Sequence, residues 1–286
     1  MALGHIEEIG IRTLDVPTTC RFLHEALGLA RLDDDAGRPT AGRFDAGSAE
    51  LVVHAASASD PGAPPGVGMV RFAAGSSDMT GAGLPAPFGV APTHGDSADG
   101  SPRNPAQGAG QTPTATGDGI ISLDYVSVEC DVPEAIAAQL ESQCHCAAGT
   151  TERVTDILQV TEAFVSDKYG AVYHTRTPQM SGGVRVQFVT SDSAAVALTN
   201  RFTVHPKAGA TTQPTRAPDA PHRSAAVAHI ALAIDDVDRI WAEFRRSGWP
   251  VLAGGPVTGL RGRRVLMMDP VTFGGELQIH LTAETL

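Results

Sequence analysis

Residues 226–281 read AVAHIALAIDDVDRIWAEFRRSGWPVLAGGPVTGLRGRRVLMMDPVTFGGELQIHL, and the spacing of their apolar residues decides the fold. Val227–Ile234 alternates with period two, which puts Ala228, Ile230, Leu232 and Ile234 on one face of a strand and Val227, His229, Ala231 and Ala233 on the other. Asp235 or Asp236 then stands at a helix N-cap, ahead of Val237, Ile240, Trp241 and Phe244 at helical spacing. Gly248 ends that helix and Pro250 follows it, because a left-handed C-terminal residue favours glycine and proline cannot continue a helix. Short strands are expected near Val251–Leu252, Val265–Met268 and Leu277–Leu281. The order is β-α-β-β-β.

The beginning of the chain repeats this plan. Ile9 and Ile11 supply the helix-facing side of a strand, Asp15 corresponds to Asp236, and Cys20, Phe22, Leu23, Ala26 and Leu27 form a helical stripe stopped by Gly28. Its closing strand, Ala49–Ala55 (AELVVHA), parallels Gly275–Leu281 (GELQIHL). In both, a glutamate precedes a histidine by four residues, Glu50/His54 and Glu276/His280, so strand geometry places each pair on one face. A middle block starts at Ile121–Cys130, continues through a helix over Pro133–Gln143 carrying Ile136 and Leu140, and offers strands at Ile157–Val165, Ala171–Thr175 and Val184–Thr190.

Two Gly/Pro/Ser-rich stretches separate these blocks and lack either apolar period, so they cannot bury enough surface to offset their ordering entropy. The expected organisation is an N-terminal module over 1–74, a linker over 75–119, a middle module over 120–204, a linker over 205–224 and a C-terminal module over 225–286. Residues 67–74 could open a further, degenerate module that lacks its helix. The fold class is α+β, with repeated βαβββ modules.

Composition narrows the function. A formal charge of −11, without a basic stripe, repels phosphate backbones and excludes nucleic acid as a partner. No apolar run reaches the roughly 18–20 residues of a bilayer span, and MALGHIEEIG lacks a signal-peptide layout. The expectation is a soluble, cytoplasmic chain whose partner is a small-molecule substrate. Cys20, Cys130, Cys144 and Cys146 make no disulfide framework in a chain of this length, and Cys144-His145-Cys146 reads as a helix-end turn, because three consecutive residues cannot converge on one ion without strain. His174 and Arg176 share a strand face suited to an anionic group, whereas Arg261, Arg263 and Arg264 read as a solvated turn. The glycines of residues 251–259 form turns and no phosphate loop, since no Lys-Ser/Thr follows.

The C-terminal stretch quoted above resembles the vicinal-oxygen-chelate superfamily of glyoxalases, bleomycin resistance proteins and extradiol dioxygenases. HIALAIDDV, preceded by VRVQFV and a variable stretch, is also similar to the C-terminal half of 4-hydroxyphenylpyruvate dioxygenases. The other blocks match in layout. The resemblance implies cupped half-barrels that hold a divalent metal through ligands on the first and last strands of each module. Carried onto this chain, the first-strand positions are His229, Glu8 and Tyr125, and the closing strands offer Glu276 or His280 and Glu50 or His54. Such donors suit Fe(II) first, with Mn, Ni, Co or Zn as alternatives. Where the dioxygenases carry a second histidine this chain has Tyr125, which is a departure from an ordinary ring-cleaving site. The implied function is a metal-dependent enzyme, dioxygenase-like or of the glyoxalase/epimerase type, on a substrate with vicinal oxygens. Glu8 is the candidate base and Tyr125 a substrate contact. The alternative is a metal-free protein that sequesters a ligand in the same cup, as resistance proteins do, and a homodimer is compatible with either.

Overall fold

The computed structural model describes residues 5–32, 41–56, 66–72, 88–90, 121–130, 133–143, 149, 151–153, 155–156, 173–177, 184–191, 225–259, 262–273 and 278–283. In the C-terminal module, β11 (Ala225–Ala233) is followed by a helix (Val237–Ser247), β12 (Val257–Thr258), β13 (Arg264–Met267) and β14 (Ile279–Ala283). The chain returns so that β14 lies parallel to β11, with Ala231 opposite His280. In the middle module β7 (Ser122–Cys130), a helix (Pro133–Gln143), β8 (Thr151–Arg153), β9 (Tyr173–Arg176) and β10 (Arg185–Ser191) do the same, β10 lying parallel to β7. Antiparallel pairing of β7 with β11 fuses the two modules into one eight-stranded sheet, ordered β12-β13-β14-β11-β7-β10-β9-β8.

The N-terminal module forms a second sheet. Its β1 (Ile6–Thr13), a helix that runs from Val16–Arg21 into a π-helical turn at Phe22–Ala26, β2 (Arg31–Leu32), β3 (Gly42–Asp45) and β4 (Glu50–Ala55) repeat the βαβββ order. Then β5 (Gly66–Phe72) pairs antiparallel with β1, as β7 does with β11, and β6 (Phe88–Val90) pairs parallel with β5. The degenerate module therefore contributes at least two strands. One of them lies inside residues 75–119, the stretch read as linker from its composition. The helices are named α1 (Val16–Arg21), α2 (Pro133–Gln143) and α3 (Val237–Ser247).

Local chemistry sets the helix limits. Asp15 accepts from the Thr18 amide at 3.0 Å and Asp236 from the Arg239 amide at 2.9 Å, so each N-cap satisfies an otherwise orphaned donor. Gly248 closes α3 at φ 78°, a left-handed value that glycine reaches without a Cβ clash. Val251–Leu252 is not a strand. Only an isolated bridge from Val251 to Met268 forms before a 3₁₀ turn at Leu252–Gly254, and a Cβ at Gly255 would come within 2.8 Å of the Trp241 ring. The strand expected at Ile157–Val165, the Cys144-His145-Cys146 turn and the 205–224 linker lie outside the described residues.

The helical layers of the first and last modules meet through aromatic rings. Phe22, fully buried, lies with its ring centroid 5.0 Å from Phe273, 5.1 Å from Trp249 and 5.8 Å from Phe244, in tilted to edge-on arrangements that match the aromatic quadrupoles. The Thr13 hydroxyl donates to the Phe273 carbonyl across the same seam. Among the described residues no helix is long and apolar enough to cross a membrane. Phe22→Ala should lower unfolding free energy by about 3–5 kcal/mol, the cost of removing a buried aromatic ring. Urea unfolding of the full chain measures this, and a loss below about 1 kcal/mol would show that the seam contributes little.

Candidate functional site

Two bulges shape the centre of the larger sheet. The register between β11 and β7 runs Val227↔Val128, then His229↔Ser127, which leaves Ala228 as an extra residue; it shifts again between Ala231↔Tyr125 and Leu232↔Leu123, which leaves Asp124 extra. An inserted residue reverses the side-chain alternation beyond it. Val227 therefore pairs with core residue Val128, not on the face of His229 as strict alternation predicts. Between the bulges, Tyr125, Ser127, His229 and Ala231 share the face opposite to the core residues Val126 and Ile230. β14 adds His280 beside Ala231, and Gln278, two residues earlier, is on the same face; β13 adds Met267 opposite His280, and β10 adds Arg185 and Gln187 opposite Tyr125 and Ser127.

His229 and His280 are 2% and 3% exposed, and their rings stack with centroids 3.9 Å apart at 25°. The Tyr125 hydroxyl lies 3.3 Å from His229 Nε2, its ring edge-on to the imidazole. Burial holds His229 far below the usual imidazole range, at about 3, and burial together with the neighbouring His229 holds His280 low as well. Both rings are neutral at physiological pH. Burial, then the charge of Asp124, raises the Tyr125 hydroxyl against the opposing arginines Arg185 and Arg263, so it keeps its proton. That hydroxyl donates to Nε2 in one histidine tautomer and accepts from it in the other.

Four buried polar atoms on this face, Ser127 Oγ, His229 Nδ1, Gln278 Oε1 and His280 Nε2, have no hydrogen-bond partner among the described residues. Each costs about 1–3 kcal/mol if left bare, so together they approach the whole stability of an ordinary domain, about 5–15 kcal/mol. A patch of this kind must be satisfied by something the described residues do not supply.

In the other cup the glutamates are ion-paired. Glu8 and Glu50 are register partners on β1 and β4. Arg71 Nη1 donates to Glu8 at 2.9 Å, and Arg43 Nη2 donates to Glu50 at 2.5 Å. His54 lies two residues beyond Val52 on the same strand, and burial lowers its pKa, with Glu8 opposing and Arg12 and Arg71 adding to the effect. The structure thus brings His229, His280 and Tyr125 together and leaves Glu8 and Glu50 in a different sheet, each held by an arginine. Glu276 lies outside the described residues. Among the described residues, no three His, Cys, Asp or Glu side chains gather as a metal-binding group.

Some residues play parts that local sequence did not reveal. Arg263, read as part of a solvated turn, donates to the buried Asp124 at 2.6 Å, while Arg264 pairs with Asp238 of α3 at 2.7 Å and Arg261 is not among the described residues. Arg176, read as facing an anionic ligand, instead donates to Glu141 of α2 at 2.8 Å on the helix side. Ser127 and Gln278 were missed although they belong to the orphaned patch. For Gln278 a signal existed: it is the residue between Glu276 and His280 on their shared face.

Residues 147–274 match the family model described as the Glyoxalase/Bleomycin resistance protein/Dioxygenase superfamily. No curated protein sequence matches the chain. Among solved structures, a triple mutant of 4-hydroxymandelate synthase from Streptomyces coelicolor superposes with a TM-score of 0.61 at 14% identity, covering 99% of this chain and 93% of that one. A methylmalonyl-CoA epimerase from Mycobacterium tuberculosis aligns with 57% of this chain and 88% of its own at 12% identity, with a TM-score of 0.40. At these identities the synthase establishes a shared fold, and the epimerase carries no argument. Residues 147–274 thus match the Glyoxalase/Bleomycin resistance protein/Dioxygenase superfamily, and the chain shares its paired βαβββ fold with the synthase.

Proposed function

We propose that the chain is a divalent-metal-dependent enzyme acting on a small substrate with oxygens on neighbouring carbons. The observation that carries this reading is the stacked pair His229 and His280, two neutral imidazoles buried side by side, each with an orphaned ring nitrogen. A neutral imidazole offers a lone pair without a proton to displace, so the donors fit a divalent ion. His229 and His280 would hold it, and the sequence offers Glu276 as a candidate oxygen donor. Imidazole and oxygen donors suit Fe(II) first, and Mn, Ni, Co or Zn are compatible. Glu50 does not fit this set, because Arg43 holds it in the other sheet.

When bound, such an ion acts as a Lewis acid that stabilises negative charge developing on a substrate oxygen. The chain's own residues supply the rest. Tyr125 keeps its proton at Oη and orients the His229 ring. Ser127 Oγ can donate or accept, and Gln278 Oε1 accepts, so both can fix a polar ligand in one orientation. Met267, buried, lies opposite His280 on the neighbouring strand. Glu8, ion-paired with Arg71 in the smaller sheet, is not positioned as the proton acceptor here.

A second reading, a metal-free binding protein using the same cup, is favoured by Tyr125 standing where the dioxygenases carry a histidine. Elemental analysis of the full chain after anaerobic exposure to Fe(II), Mn or Zn separates the two. Stoichiometric metal is expected, lost in His229→Ala and in His280→Ala and unchanged in Glu50→Gln. Full retention in both histidine variants would overturn the assignment, and absence of metal from the wild-type chain would favour the binding protein.

Burial of neutral histidines also sets a pH response. In the unfolded chain His229 and His280 take up protons below about pH 6.5, whereas in the fold His229 resists protonation down to about 3. The unfolded state then binds more protons, so stability is complete above pH 6.5 and falls as the pH drops toward 4. Melting temperatures of chelator-treated protein should fall across that window, and His229→Gln/His280→Gln should flatten the slope. An identical slope in the double variant would contradict the neutral, buried assignment.

A further inference from the structure

Tyr125 and His229 hold two protons between them, and the structure limits where those protons sit. The Tyr125 hydroxyl lies 3.3 Å from His229 Nε2, while Nδ1 of the same ring is buried and has no hydrogen-bond partner among the described residues. A neutral imidazole carries one ring proton, and a phenol carries one hydroxyl proton. With the ring proton on Nδ1, the hydroxyl donates to Nε2 and Nδ1 offers no lone pair. With the ring proton on Nε2, the ring donates to Tyr125 Oη, which leaves a lone pair on Nδ1 and a spare proton on the phenol. Only the second arrangement lets Nδ1 serve a metal, because a nitrogen that donates to an ion carries no proton.

The spare phenol proton then needs an acceptor. Ser127 Oγ and Gln278 Oε1 share this face, but neither has a hydrogen-bond partner among the described residues, so neither takes it. Two ring contacts restrain the phenol where it is. Its ring stands edge-on to His229 with centroids 5.5 Å apart, and the Arg185 Cζ lies 5.5 Å from the Tyr125 centroid. The proton is therefore left for a bound molecule.

We propose that Tyr125 is a ligand-contact residue: in the metal-loaded cup His229 is the Nε2–H tautomer, Tyr125 Oη accepts from it, and the phenol donates its own proton to an oxygen of the ligand. This rests on the reading of the cup as a metal site given above, and it adds a requirement on what binds there. A hydrogen bond to an ionised acceptor is about twice as strong as one to a neutral acceptor. The phenol thus favours a ligand with a carboxylate or alkoxide oxygen, such as a 2-hydroxy acid, over one with neutral carbonyls alone.

The test uses the full chain, isotope-labelled at the histidine nitrogens and loaded with Zn. Long-range proton–nitrogen NMR, with the His229 signals assigned by their loss in His229→Gln, reads which ring nitrogen bears the proton. The expected result is a proton on Nε2 and none on Nδ1. Ligand-observed NMR then titrates glycolate, which carries oxygens on neighbouring carbons, into wild-type and Tyr125→Phe aliquots matched for bound Zn. Y125F is expected to bind glycolate about tenfold more weakly, as loss of a hydrogen bond to a charged group implies. Equal affinity in Y125F would show that the protein itself accepts the proton and would overturn the proposal, as would no glycolate binding to the Zn-loaded wild type. A Zn-loaded chain with the proton on Nδ1 also overturns it, and that readout stands whether or not Y125F folds. A chain that takes up no Zn removes the metal reading and this proposal together, whereas one that holds Zn through His229 and binds glycolate equally with and without the hydroxyl loses only the ligand contact.

Discussion

Unpaired polar atoms in a dry sheet constrain everything else in this molecule. Ser127, His229, Gln278 and His280 each bury a polar atom on one face of β7, β11 and β14 without a described partner. A sheet chosen for stability alone would place apolar side chains there. The N-terminal cup, built on the same module plan, makes the contrast plain: Glu8 is bonded to Arg71 and Glu50 to Arg43. In one cup both glutamates are ion-paired, while in the other two histidines, a serine and a glutamine each bury a polar atom without a described partner.

The βαβββ module explains why these residues meet. Its first and last strands are parallel neighbours, so residues separated by about fifty positions, such as His229 and His280, come together with stacked rings. Antiparallel joining of two modules then brings Tyr125 and Ser127 beside them. The bulges at Ala228 and Asp124 limit the inward-facing segment to a few residues and turn Asp124 toward three donors. The aromatic seam around Phe22 ties the smaller sheet's helix to the C-terminal module.

Much of this was legible locally. Asp15 and Asp236 as caps, Gly28 and Gly248 as stops, and the closing strand that carries Glu50 and His54 follow from propensity and period, which act over a few residues. What escaped was set by distance along the chain or by register. Arg263 looked solvated because its partner, Asp124, lies 139 residues away. Arg176 looked ligand-facing because strand alternation does not say which face carries the helix, and Glu141 of α2 settles it. Val227 was placed with His229 because a bulge leaves no mark in an alternating apolar run. β6 escaped because three residues within a Gly/Pro-rich stretch carry no readable period.

The central claim is that His229 and His280 present their orphaned nitrogens to one ion. X-ray absorption spectroscopy at the metal edge, on the full chain loaded with a single equivalent of Fe(II) or Zn, addresses that claim most directly. The account predicts a nitrogen/oxygen inner shell, no sulfur, and outer-shell scattering from two imidazole rings. A spectrum with sulfur donors, or without imidazole scattering, would contradict it.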